Sequence, residues 1–316
     1  MQDDQIISLE VPATLAGKRF DQALSALLPD YSRARLQKWI KSGAAMLNDQ
    51  VVKPKDPVAV GDRVTVRIEL EPETTWQAQE QPLDIVFEDE DIIVINKPAG
   101  WVVHPAAGHQ DGTLVNALLH HAPELEQIPR AGIVHRLDKD TSGLLVVART
   151  LQSHHHLVDQ LQTRSVTREY EAVLQGVMIS GGTVNAPIAR HPVDRQRMAV
   201  VVGGKEAISH YRVTERFAAH TWVTVKLATG RTHQIRVHMA HIKHPLVGDP
   251  AYGGRLRLPK ESSAELRSVL SGFSRQALHA RHLALVHPKS GQVCGWEVAL
   301  PNDMQELLAA LRANEQ

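Results

Sequence analysis

The sequence predicts an α+β protein in two modules: a small N-terminal one, and a large one built on a mainly antiparallel mixed sheet. Three observations carry this. The chain has 316 residues, long enough for about two domains. A polar stretch rich in Pro and Glu, EPETTWQAQEQP at 71–82, is the best linker in the chain and divides it into 1–75 and 76–316. Beyond it, strand-like runs follow one another without regular alternation with helices, which disfavours a parallel βαβ sheet.

Taken in order, KRFDQALSALL (18–28) spaces Phe20, Leu24, Leu27 and Leu28 as one helical face and stops at Pro29. Ser32 is placed to cap a second helix, RARLQKWIK, which ends at Gly43; its apolar side is Leu36, Trp39 and Ile40. AAMLNDQVV reads as β with a turn at Asn48-Asp49, and RVTVRIEL after Gly61-Asp62 alternates Val64, Val66, Ile68 and Leu70. In the second module, IIVIN, GLLVVAR, REYEAVLQGV, HYRVTERF, TWVTVKLAT and HQIRVHM read as strands. Helical spacing is sparser, at 113–120, 151–162, 262–270 and 303–313.

Composition excludes several classes. The single cysteine, Cys294, rules out an internal disulfide framework or a multi-cysteine zinc site and suits a reducing compartment. The N-terminus lacks the basic and apolar regions of a secretory signal, and no apolar run approaches the ~18 residues of a membrane span. A cytoplasmic protein without membrane contact is the expectation. Net charge is zero, but it is unevenly distributed: residues 131–260 carry 18 Lys and Arg against 9 Asp and Glu. Most of those cations are arginine, whose planar fork suits phosphates and stacks on bases. A solvated surface balanced by neighbours in space is the bland alternative. The helix at 32–43 adds Arg33, Arg35, Lys38 and Lys41 with no acid among them, either a phosphate-binding face or a solvated one. The closely spaced His233, His238, His241 and His244 and the consecutive His154–His156 lack a zinc-binding pattern, so no metal is expected.

The densest polar stretch beside a core-like strand is HRLDKDTSG (135–143). Its carboxylates suit two readings: a base or nucleophile held ionised by an arginine, or an Asx-type turn around Asp140–Gly143. Residue chemistry alone leaves both open.

HRLDKDTSG closely resembles the signature of the RluA family of RNA pseudouridine synthases. NKPAGWVVHP (96–105), REYEAVLQG (168–176), GRTHQIRVHM (230–239) and HPLVGDPAYGG (244–254) resemble further family motifs, in order. RFDQAL, YSRARLQKWIKSG and the GDRV strand make 1–75 similar to an S4 RNA-binding domain, with Asn48-Asp49 where Asn-Gly is more usual. The resemblance implies a pseudouridine synthase domain over 76–316 that isomerises uridine without cofactor or metal. It further implies 23S ribosomal RNA or a large-subunit precursor as partner, the helix 69 stem-loop as target, a role in large-subunit assembly, and a monomer. Asp138 then corresponds to the catalytic aspartate, attacking C1′ or removing the 2′ proton. Arg236 is its ion-pair partner, Tyr170 stacks on the base and relays a proton, and Ile235 packs on the base's other side. Arg136 fills the space a flipped base leaves, and Lys97 and His104 border the cleft. Arg33, Arg35, Lys38 and Lys41 supply a second RNA foothold. The alternatives are a family member acting on other uridines, or a non-catalytic S4-type assembly factor.

Overall fold

The computed structural model describes residues 6–315 apart from 30, 32, 69–75, 106–110, 257 and 260. The expected cap at Ser32, the last alternating residue Leu70 and the first part of the linker lie outside the described residues.

The N-terminal module begins with β1 (Ile6–Glu10), which the sequence reading did not anticipate. It continues through α1 (Phe20–Leu27), α2 (Arg33–Ser42), β2 (Ala45–Leu47) and β3 (Arg63–Arg67), and β3 lies antiparallel between the other two strands. Phe20, Leu24, Leu36, Trp39 and Ile40 from the helices meet Val64 and Val66 in a core of their own. The chain turns at Asn48-Asp49 with φ of 51° and 61°. Both residues are left-handed, as a type I′ turn requires. Asn48 accepts from the Arg63 amide (2.8 Å) and donates to Asp62 (2.9 Å), and Asp49 pairs with Arg63, so side chains stabilise a conformation that glycine would adopt freely. The returning QVV forms no strand; β2 pairs with β3 instead.

The second module contains β4 (Ile85–Glu88), β5 (Ile92–Lys97), α3 (Leu114–His121), β6 (Ser142–Ala148), α4 (Leu151–Gln162) and β7 (Thr167–Gln175). Three short strands follow, β8 (Gly182–Asn185), β9 (Ile188–Arg190) and β10 (Met198–Val200), then β11 (Ile208–Arg216), β12 (His220–Leu227) and α5 (Gln234–His241). The chain closes with α6 (Ala264–Gly272), β13 (Leu278–Val286), β14 (Val293–Glu297) and α7 (Asn302–Ala313). The main sheet runs β4-β5-β6-β13-β7-β12-β11-β8, with β14 on β13, and β9 and β10 form a separate hairpin. Every described strand pair is antiparallel except β6 with β13. No helix among the described residues is long and apolar enough to cross a membrane.

IIVIN is continuously apolar because β5 is buried on both faces. Ile93 and Ile95 join the core under α3 and α5, while Ile92 and Val94 pack with Leu157 of α4. α6 and α7 pack together beside Val173 of β7. The central correction is α5. HQIRVHM alternates polar and apolar residues like a strand, yet it is a helix whose residues Gln234 to Met239 are all buried. Burial on every side erases the amphipathic period that would have marked the helix. The stretch expected as linker also divides. Gln77 and Gln79 dock on the α3 region, the Gln77 carbonyl accepting from Asn116 (2.7 Å) and the Gln79 amide donating to the Asn116 carbonyl (2.9 Å).

Candidate active site

The loop entering β6 carries Asp138, and a network of backbone ties holds it. Asp138 accepts through its carbonyl from the Thr141 amide (3.1 Å), and the Lys139 carbonyl accepts from Gly100 (3.0 Å). Lys97 Nζ donates to the carbonyls of Pro98, Trp101 and Lys139 at 2.8, 3.0 and 2.9 Å. Arg275 and Gln276 anchor Asp140 and Thr141 from the far side. At Gly143 a Cβ would lie 2.2 Å from the Ala280 carbonyl, so only glycine lets β6 approach β13 this closely.

α5 supplies the cation. Arg236 Nη1 donates to Asp138 Oδ2 (3.0 Å), while its Nε and Nη2 form a bidentate pair with Asp249 (2.8 and 2.9 Å). Asp249 in turn accepts from the amides of Ala251 and Tyr252, and the Arg236 guanidinium lies 5.1 Å from the Tyr252 ring centroid. Burial opposes the charge on Arg236, but Asp249 and Asp138 outweigh it and raise its pKa, so it stays ionised. Sequence reasoning placed Arg236 beside Asp138 and missed Asp249. No spacing rule announces a partner thirteen residues on across a turn, although Asp249 lies within HPLVGDPAYGG.

His233, the residue before α5, has φ 57°. Its Nδ1 is 2.8 Å from the Tyr252 hydroxyl, which itself accepts from the Met198 amide at 2.8 Å. With that oxygen already accepting, Tyr252 donates to Nδ1, leaving the imidazole proton on Nε2, 3.9 Å from Asp138 Oδ1. Burial lowers the pKa of His233, with Asp138 pulling the other way, so the ring is neutral.

Asp138, His233 and Arg236 line a cleft of about 570 Å³ together with Arg130, Arg136, Arg164, Arg168, Arg231 and Tyr170. Tyr170 on β7 is 6 % exposed. Burial raises the pKa of its hydroxyl; Arg168 opposes the shift and Asp138 adds to it, so the phenol stays protonated. Ile235 is buried and lines the cleft. Arg136 is exposed at the rim, and no ion pair ties it to the described residues. His104 also borders the cleft; burial, then Arg136 and Arg130, push its pKa down to about 4.

Two expected substrate contacts fall elsewhere. Lys97 is fully buried under the loop. Its three donors are spent on carbonyls, so it shapes the site from beneath and cannot reach a ligand. In α2, Arg33, Lys38 and Lys41 are exposed, but Arg35 is buried at 5 % exposure beside the Leu36 face. It lies at the flank of the Leu36, Trp39 and Ile40 stripe, and its burial removes it from the cationic face. The clustered histidines disperse: His238 bonds Ser209 and the Ala186 carbonyl, and His244 faces the Gln175 carbonyl.

The sequence matches the RNA pseudouridylate synthase family over residues 91–241 and the S4 domain over 18–64. It is 58% identical over 307 residues to the ribosomal large subunit pseudouridine synthase D of Pseudomonas aeruginosa, covering 97% of this chain and 96% of that one. Identity to the protein of the same name from Escherichia coli K12 is 55% over 299 residues, 94% and 92% of the two chains. Among solved structures, human RNA pseudouridylate synthase domain containing 4 superimposes with a TM-score of 0.57 at 28% identity, over 72% of this chain and 92% of that one. The chain therefore belongs to the RNA pseudouridylate synthase family and carries an S4 domain ahead of its catalytic domain.

Proposed function

We propose that this enzyme isomerises uridine to pseudouridine in the 23S RNA of the large ribosomal subunit, in the helix 69 stem-loop, and thereby supports subunit assembly in the cytoplasm. The ribosomal substrate follows from the names of relatives that match nearly end to end. The observation that carries the chemistry is Asp138, ion-paired by Arg236 on a cleft with an arginine-rich wall. Arg236 occupies Oδ2 and leaves Oδ1 for the substrate, either to attack C1′ or to take the 2′ proton. Tyr170 supplies a neutral aromatic face for the uracil, Ile235 the opposing apolar surface, and Arg136 a mobile cation for the gap left by a flipped base. The isomerisation exchanges the N1–C1′ bond for a C5–C1′ bond within one nucleotide, with no net oxidant or donor. The S4 domain holds the RNA through Arg33, Lys38 and Lys41, raising the local concentration of substrate.

Asp138→Asn tests the assignment. It keeps the shape and removes the charge, so single-turnover pseudouridine yield should fall about 10³-fold or more, with RNA affinity and melting temperature near wild type. A folded variant with near-normal yield would refute the role of Asp138. Mapping pseudouridines in ribosomal RNA from a strain lacking the protein tests the target: the helix 69 positions should be lost and the others retained.

A further inference from the structure

Arg168 lies two residues before Tyr170 on β7, hence on the same face, and it lines the cleft. It is 8 % exposed, its Nε is sealed from solvent, and its guanidinium makes no hydrogen bond or ion pair with the described residues. Arg236 is buried to the same degree but is bracketed by two carboxylates. The fold makes room for Arg168 all the same: a Cβ at Gly230 would lie 2.8 Å from its Nη1, so a glycine there leaves space for the guanidinium. Its charge reaches His135 and Tyr170, working against the protonated form of the one and favouring the ionised form of the other.

Burying a cation without a counter-charge is unfavourable, and no carboxylate among the described residues pairs with this one. Such a group persists where a ligand brings the missing partner. The surrounding wall carries Arg130, Arg136 and Arg231 beside Arg164, which pairs with Glu206, and this excess of cations favours an anion; the planar fork of an arginine matches a phosphate through two parallel hydrogen bonds. We propose that Arg168 is a substrate-binding residue that pairs with a backbone phosphate of the nucleotide entering the cleft, fixing how deeply that nucleotide sits against Tyr170. This rests on the reading of the cleft as the uridine site, but not on the chemical role of Asp138.

The test compares wild type with Arg168→Met and Arg168→Lys on a stem-loop RNA. Methionine fills the space without charge, so the variant should melt at the same temperature or higher, while RNA affinity falls about 10-fold or more. The slope of log affinity against log salt should become shallower by about one contact. At saturating RNA the single-turnover rate should change far less than the affinity. Lysine, which keeps the charge and loses the fork, should restore the slope and only part of the affinity. A neutral methylphosphonate at one phosphate flanking the target uridine should weaken wild type and leave Arg168→Met unaffected. A lower melting temperature with unchanged salt slope would overturn the proposal in favour of a structural role. Lost affinity with an unchanged slope would overturn it in favour of a contact to the base. Affinity and slope are read without turnover, so these outcomes stand apart from the Asp138→Asn result.

Discussion

The three donors of Lys97 all end on backbone carbonyls, two in its own loop and one in the loop of Asp138. Burial pushes its pKa down to about 7, with Asp140 and Asp138 pulling it back up. Lys97→Met would take a donor from three carbonyls at a fully buried position, leaving that of Lys139 only the Gly100 amide, a loss of about 3 kcal/mol of stability. Because Asp138 is then less firmly positioned, the single-turnover rate should fall while RNA affinity stays within about 3-fold of wild type. Melting, affinity and rate measured side by side check this; a large affinity loss with an unchanged rate would make Lys97 a direct ligand. The residue also marks a limit of sequence reasoning. A family resemblance named Asp138, Tyr170 and Arg236, and the fold brings the three to one cleft. Lys97 and Arg35 were misplaced because long cationic side chains are assumed to face water, and burial of a charge depends on partners distant in sequence. Asp249, His233, Tyr252 and Arg168 acquire their significance only through contacts made on folding.

At the scale of elements, the strands and helices with a clear period were legible, down to the limits of α4 at 151–162. Elements whose pattern burial or shortness erases were not: α5, enclosed on all sides, and the three-residue strands β9 and β10. α2 lies between these cases. Leu36, Trp39 and Ile40 set its buried face and put Lys38 and Lys41 on the opposite side, while Arg33 in the first turn is exposed and Arg35 at the flank of the stripe is buried. Replacing Lys38 and Lys41 with Gln should therefore leave the melting temperature within a degree or two, since exposed positions contribute little stability. The same change should weaken RNA binding and lower the salt slope by up to about two. Arg35→Gln should instead destabilise the module and leave the slope unchanged once folded. Melting curves and salt titrations of the two variants distinguish an electrostatic foothold from a merely solvated face.

Across the whole molecule, all 18 histidines lie at residue 104 or beyond, so the N-terminal domain has none. Several are buried and held neutral in the catalytic domain. Burial pushes the pKa of His135 down to about 3, helped by Arg168, and those of His104, His220 and His279 to about 4. His135 Nε2 accepts from the Val146 amide, as a neutral ring can. An unfolded histidine binds its proton near pH 6.5. The folded form therefore binds fewer protons between about pH 6.5 and 4, and stability is fully present above that window and lost as pH falls through it. Each such group contributes on the order of 2 kcal/mol across the window, and four together approach the whole stability of a typical domain. In the N-terminal domain the carboxyls of Asp21 and Asp62 sit below the usual carboxylate range. Gln37 and Arg19 overcome the burial of Asp21, and the Ala59 amide and Asn48 hold Asp62. Their stabilising effect is lost only as pH falls below about 4. The two domains also have separate cores. Acidification from pH 7 to 4 should therefore unfold the catalytic domain first. In NMR spectra of the full-length protein, methyl signals of Leu145 and Val223 should collapse while those of Leu36, Ile40 and Val64 persist. Simultaneous loss of both sets, or earlier loss of the N-terminal set, would show that buried histidines do not govern the acid response.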